Sequence, residues 1–145
     1  GLEHTFDLNY ILSNRTDAYD RTGSESTNNL VSLGVRTQYN LPLLTRFFVN
    51  YNNNQVGVNS SRFLSLGASG SLRLLNEKLY INSTVRNTNA AGIVDFNKTD
   101  IDLGLRYQLL DNQDLSASSR IGIINDPDVG SYTDTILRLR YTYHF

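Results

Sequence analysis

Apolar and polar residues alternate with a period of two through nearly the whole chain, and this alternation limits its possible folds more than any other feature. Successive side chains of a β-strand point to opposite faces, so the alternation is typical of strands with two unlike faces. No segment shows the 3.6-residue period of an amphipathic helix. The sequence therefore predicts an all-β chain with eight alternating segments, at residues 3–12, 31–39, 46–51, 64–74, 79–86, 100–107, 114–123 and 137–145.

The polar connections between these segments alternate in length. Short ones lie around 40–44, 75–78 and 110–113, and long ones around 13–28, 52–61, 88–98 and 125–131. In an up-and-down meander every second connection lies on the same rim, so the short turns are expected on one rim and the long loops on the other. We therefore expect a single domain over residues 1–145, folded as an up-and-down antiparallel β-barrel of eight strands.

The polar face of the predicted strands carries most of the arginines, whereas the chain has only two lysines. A confined interior favours the planar guanidinium paired with short carboxylates, whereas a solvated surface usually mixes in lysine freely. We therefore expect this face to line the interior, and Leu33, Leu103, Leu105 and Leu139 to face outward. The predicted interior ion-pair network comprises Arg36, Arg46, Arg73, Arg86, Arg106, Arg120, Arg138 and Arg140 with Asp7, Asp100, Asp102 and Asp134.

The chain ends in Tyr-Thr-Tyr-His-Phe, with aromatic residues at the alternate positions Tyr141, Tyr143 and Phe145. This ending resembles the terminal-strand signature of bacterial outer-membrane β-barrels. The resemblance implies a location in the outer membrane, lipid around the apolar face, and the barrel assembly machinery as a partner that reads these three residues. Tyr39 and Tyr107 near the same rim suit an interfacial aromatic girdle, although such girdles often contain tryptophan and this chain has none.

Residues able to support catalysis are few. Both histidines, His4 and His144, are expected at the rim with the short turns, far from the long loops, which makes a Ser-His-Asp arrangement improbable. Asp100 and Asp102 share a face with Arg106, which favours structural ion pairs over a catalytic carboxylate pair. The chain has no cysteine and a net charge of −1. We expect no enzymatic activity, no cofactor, no metal site and no nucleic-acid partner.

These features leave three functional hypotheses open. The first is a membrane anchor or structural protein with an ion-paired, largely closed interior, which displays long loops to an extracellular partner, with the loop at 13–28 exposed and mobile. The second is the C-terminal part of a larger outer-membrane pore, transporter or translocon, with arginines lining a water-filled lumen. The third is a soluble β-barrel that holds an apolar ligand and turns its arginines outward.

Overall fold

The computed structural model describes residues 1–16 and 25–144, and it confirms eight antiparallel strands in chain order within one sheet. Each strand pairs with its neighbours along the chain, as an up-and-down meander requires. A single residue step between Gln108 and Leu110 interrupts the register of one pair. The strands are β1 (Glu3–Thr16), β2 (Glu25–Gln38), β3 (Leu43–Val56), β4 (Asn59–Leu74), β5 (Leu79–Gly92), β6 (Phe96–Leu110), β7 (Gln113–Asp126) and β8 (Gly130–Tyr143).

The register places the alternating residues of all eight strands on two common faces. Leu8 pairs with Leu33, Leu33 with Val49, and Val49 with Leu66, so apolar positions meet apolar positions across the sheet. The intervening residues, such as Asp7 opposite Gly34, fall on the other side. A shift of one residue in any pair would exchange the faces, so the common alternation fixes the register. The sheet therefore has one apolar face and one charged face, as the sequence predicts.

The predicted difference in loop length between the two rims is wrong for most connections. The connections at 57–58, 93–95 and 127–129 are two or three residues long, where loops at 52–61, 88–98 and 125–131 were expected. The strands continue through these Asn-, Ser- and Thr-rich segments, because polar residues on both faces still form backbone ladders. Residues 13–16 and 25–28 of the first predicted loop are also paired, and its centre, 17–24, lies outside the described residues.

The two rims are named here by their connections. The turn rim has the connections 39–42, 75–78 and 111–112, and the far rim has 57–58, 93–95 and 127–129. His4 and His144 lie at the turn rim, as expected from the sequence. A backbone hydrogen bond holds His144 beside this rim: its N–H donates to the carbonyl oxygen of Asn112 over 2.9 Å.

The first and last strands are the edges of the sheet. In the described residues β1 pairs with β2 alone and β8 pairs with β7 alone, and these two edge strands do not contact each other. Each edge therefore presents a row of backbone N–H and C=O groups without ladder partners. The part of the chain that the structure describes contains no helix with the length and apolarity needed to cross a membrane.

On the charged face, large side chains lie over glycines of neighbouring strands. The Phe48 ring covers Gly67, where a Cβ atom would lie 2.2 Å from Phe48 Cζ, and Asn82 covers Gly104. By contrast, a Cβ atom at Gly70, on the apolar face of the same strand, would meet only the Leu44 carbonyl oxygen at 3.9 Å. The absence of a side chain at Gly67 and Gly104 is therefore what allows the larger residue beside each to lie flat on the sheet.

We predict that Gly67→Ala destabilises the fold by about 1 to 3 kcal/mol, because Phe48 must leave its position over the strand. The matched control is Gly70→Ala in the same strand, which we expect to be neutral or stabilising, since the added methyl has room and reduces the entropy of the unfolded chain. Denaturant unfolding of the two variants and the parent measures both effects. Equal stability of the two variants would contradict the packing of Phe48 on Gly67.

Candidate functional site

The apolar face of the sheet is uncovered along its whole width. Phe6 in β1 and Leu139 in β8 are 77% and 74% exposed, and apolar side chains of the strands between them are also exposed. Soluble monomers seldom expose an apolar surface that extends across a whole sheet. We call this surface the apolar belt, formed by the alternate, outward positions of 6–12, 31–35, 47–51, 64–72, 79–85, 101–107, 115–123 and 137–143.

The belt crosses the strands at an angle. The row of register partners that starts at Asn9, the centre of the belt in β1, ends at Tyr132 in β8. The centre of the belt in β8 is residue 140, about eight residues nearer the turn rim. The displacement grows across the sheet, from about one residue in β2 and β3 to about three in β4 and about five or six in β5, β6 and β7. The row runs through Asn9, Ser32, Asn50, Ser65, Thr88, Lys98, Ile124 and Tyr132.

This displacement gives the tilt of the strands relative to the belt. With a rise of about 3.3 Å per residue and about 4.8 Å between strands, eight residues over seven strand steps correspond to a tilt of about 40°. Strands of transmembrane β-barrels are tilted by about 35–45° from the membrane normal. The strands are therefore tilted from the perpendicular to the apolar belt by the same angle at which barrel strands are tilted from the membrane normal.

The outward face becomes polar between the belt and the far rim. Asn87 Nδ2 donates to Asn97 Oδ1 and to Thr99 Oγ1, each over 2.9 Å. Asn29 and Asn53 are register partners in the same zone. Arg62, opposite Asn53, has no ion pair with any described residue and is exposed. The strands thus extend beyond the belt on this side as polar hairpins.

Aromatic residues mark the opposite boundary of the belt. Tyr107 pairs with Leu115, which pairs with Tyr141, and Tyr143 follows on the same outward face of β8. Tyr141 and Tyr143, two residues of the predicted assembly signal, thus lie on the outward face near the turn rim. The third, Phe145, lies outside the described residues.

The charged face contains ion pairs between neighbouring strands in β5, β6 and β7. Asp100, directly opposite Arg86, has a side chain only 5% exposed and contacts Arg86 Nη2 at 3.4 Å and Lys98 Nζ at 2.9 Å. Asp102 and Arg120 are also register partners, and Arg120 Nε donates to Asp102 Oδ1 over 2.6 Å. Partners directly opposite on one face are close enough for such pairing.

A second cluster on this face lies close to the turn rim. Arg106 donates to both carboxylate oxygens of Asp114, over 3.3 Å from Nε and 2.8 Å from Nη2. This two-point contact is the strong geometry of an arginine–carboxylate pair. His144 Nε2 lies 3.3 Å from Asp114 Oδ2, on the same face. The cluster therefore joins the end of β8 to the start of β7.

The predicted network is therefore brought together only in part. Arg86, Arg106 and Arg120 have carboxylate partners on neighbouring strands, and Arg73 contacts Glu77 of the adjoining turn at 3.8 Å. Within residues 1–16 and 25–144, no ion pair includes the other predicted members, namely Arg36, Arg46, Arg138, Arg140, Asp7 and Asp134. Three of these six lie in β8 and one in β1, the two edge strands.

The sequence analysis did not place Lys98, Asp114 or His144 together with their partners in the network. Lys98 and Asp100 are two residues apart and thus share a face, which is a signal that the sequence contains. The Arg106–Asp114 contact is diagonal across the β6–β7 turn, because Arg106 pairs in register with Ser116. Predicting it requires the length of the turn, which alternation alone does not give. Among the described residues, no group of three potential metal ligands is found.

Comparisons of the chain with protein-family models, with curated proteins and with solved structures give no match. Any function assigned to the belt and the charged face therefore depends on their geometry alone.

We predict that Asp100→Ala lowers the free energy of unfolding by about 2 kcal/mol or more, because it removes a largely buried carboxylate that contacts two cations. The comparison is Asp128→Ala, at an exposed acid of the 127–129 turn that contacts no cation in the described residues. We expect that change to stay within about 0.5 kcal/mol of the parent. Denaturant titrations of both variants test the difference, and equal losses would contradict the assigned ion pairs.

Proposed function

We propose that this chain is an integral outer-membrane protein whose eight strands close into a transmembrane β-barrel, with lipid around the apolar belt and the charged face inside. Its role is that of a membrane anchor or structural protein that carries polar hairpins on the far rim. The observation that carries the proposal is the belt itself, which runs over all eight strands, with the strands tilted by about 40° from the perpendicular to the belt. A soluble sheet has no reason to maintain that inclination.

Closure follows from the cost of unpaired backbone groups in lipid. Each N–H or C=O group without a partner in hydrocarbon costs several kcal/mol, so an open sheet edge is not viable there. If the sheet closes so that the two ends of the belt meet, residue 9 of β1 lies opposite residue 140 of β8. This offset of about eight residues over eight strands corresponds to a tilt of about 35°, within the range of closed barrels.

Charges on the two edge strands are complementary in this arrangement. With residue 9 opposite residue 140, Asp7 of β1 faces Thr142 and lies diagonal to Arg140 of β8. Neither Asp7 nor Arg140 has an ion pair in the described sheet. Closure therefore brings together an acid and a base that the open sheet leaves separate, on the face that becomes the interior.

The anchoring role uses lipid as the main partner and involves no catalysis, cofactor or nucleic acid. The barrel assembly machinery is the partner proposed for insertion, through Tyr141, Tyr143 and Phe145. An extracellular partner would contact the far rim, where the polar hairpins extend beyond the belt.

A second candidate is the C-terminal part of a larger pore, transporter or translocon. Two observations favour it: the edge strands are unpaired in the described residues, and the arginine side chains on the charged face remain 44–62% exposed even where they are paired. In that arrangement β1 and β8 pair with strands of the rest of the barrel. Steady, anion-selective currents of the isolated chain in a planar bilayer would favour this candidate over the closed eight-stranded barrel.

The proposed topology predicts opposite responses at the adjacent residues Ser118 and Ser119. Ser119 is the central belt residue of β7 and faces outward, whereas Ser118 faces the charged side. We expect Ser119→Arg to destabilise the protein in lipid vesicles by about 2 to 4 kcal/mol, the cost of arginine near the bilayer midplane. Folding titrations in vesicles measure this cost.

Ser118→Arg is the matched control, since it introduces the same residue one position away. We expect it to cost clearly less, because the added cation lies near Asp102 in a polar cavity, where its repulsion from the register partner Arg138 costs only about 1 kcal/mol or less. Equal costs for the two variants would contradict the assignment of the belt to lipid. A larger cost at Ser118 than at Ser119 would favour the soluble barrel, with the apolar face inside.

Closure predicts that cysteines at Leu8 and Tyr141 form a disulfide within one chain. The natural sequence has no cysteine, so an introduced pair has no competing thiol. Opposite residues of paired strands have Cα atoms about 4.5–5.5 Å apart, which suits a disulfide. Non-reducing electrophoresis of the folded protein detects whether this disulfide has formed. Leu8→Cys with Leu137→Cys is the control, four residues out of register, and preferential bonding of that pair would exclude the proposed closure.

A further inference from the structure

Arg36 and Arg46 lie directly opposite each other on the charged face of β2 and β3. Like charges at directly opposed positions of neighbouring strands destabilise a sheet. Neither guanidinium has an ion pair in the part of the chain that the structure describes. Arg46 instead lies over the Phe48 ring, with its Cζ atom 5.9 Å from the ring centre. This pair is therefore a local concentration of positive charge that the fold itself does not neutralise.

The pair differs from the arginines of the three strands β5, β6 and β7. In β5, β6 and β7 the arginines have carboxylate partners on adjacent strands. Asp7 is the acid that lines the cavity beside the Arg36–Arg46 pair, and neither guanidinium approaches it within ion-pair distance. Asp7 and Arg46 do approach the same point, because a Cβ atom at Gly34 would lie 3.7 Å from Asp7 Cβ and 3.6 Å from Arg46 Nε.

Both arginines border a cavity of about 410 Å³ on the charged face. The cavity reaches across five neighbouring strands, from Asp7 in β1 to Tyr80 in β5. Its volume lies within the range of small-molecule sites. The remaining polar groups are hydroxyl and amide donors from β4 and β5, namely Ser69, Ser71, Tyr80, Asn82 and Thr84.

We propose that this cavity binds a small phosphate-bearing anion, either inorganic phosphate or a phosphate monoester. Two guanidinium groups supply forked N–H donors for phosphate oxygens, the geometry in which arginine binds phosphate best. The surrounding hydroxyl and amide groups complete the coordination of the remaining oxygens. A bound dianion neutralises both arginines and removes their mutual repulsion. This site goes beyond the anchoring role and requires only that the charged face is folded.

Titration calorimetry of the folded protein in detergent micelles, with inorganic phosphate at constant ionic strength set by chloride, tests the site. We expect saturable binding, weakened by at least about tenfold in Arg36→Gln and in Arg46→Gln, since each loses one charge-assisted contact. Asp7→Asn should strengthen binding, because it removes the acid beside the anion. The control is Arg62→Gln, which removes the same charge from the outward face and should leave phosphate affinity unchanged.

The fold of the variants is checked by their thermal unfolding without phosphate. Arg36→Gln and Arg46→Gln should unfold at or above the temperature of the parent, because each relieves a like-charge contact. No saturable phosphate binding to the parent, or an equal loss in Arg62→Gln, would overturn the site in favour of general charge attraction. A glucose phosphate titrated in the same way separates the two sources: tighter binding than inorganic phosphate assigns a phosphate monoester as the ligand, and weaker binding assigns inorganic phosphate. The test does not depend on lipid, so its failure leaves the membrane assignment to the Ser118 and Ser119 variants.

Discussion

The apolar belt takes side chains from all eight strands on one side of a single sheet, and no second layer among the described residues covers it. A sheet buries an apolar face against another layer, against itself on closing, or against lipid. In the proposed barrel the charged face lies inside, where closure brings Asp7 of β1 close to Arg140 of β8. The apolar face then has only the surroundings of the molecule to contact. The proposed membrane location, the need for closure and the paired charges all depend on this one constraint.

The tilt of the belt links these consequences. In a closed barrel the number of strands, their stagger and their tilt depend on one another. In this chain the stagger is present in the side-chain pattern before any closure, because the belt is displaced by about eight residues across the sheet. If the apolar stripe were perpendicular to the strands, its two ends would not meet when a staggered barrel closed between β1 and β8. The inclined belt would form a level ring in the proposed barrel.

The strands and their faces could be predicted from the sequence, because the two faces differ strongly in polarity over the belt. Leu33 and Leu103 were predicted on one face, and the register places them there. The strand ends could not be predicted, since segments such as 52–55 and 88–92 have no large apolar side chain on either face and so lack alternation. Asn97 falls in the predicted loop at 88–98, yet it is hydrogen-bonded to Asn87 of the neighbouring strand.

The sequence predicts which face carries the charged residues, but it does not predict which of those residues pair with each other. Alternation assigns Arg36, Arg46 and Arg120 to the charged side, but partner choice depends on register across several strands, which single segments do not encode. Arg120 lies opposite Asp102, whereas Arg36 lies opposite Arg46. The stagger that levels the belt thus also sets which charges meet. It pairs carboxylates with cations in β5 to β7 and opposes two cations in β2 and β3, which is why the proposed anion site lies between those two strands.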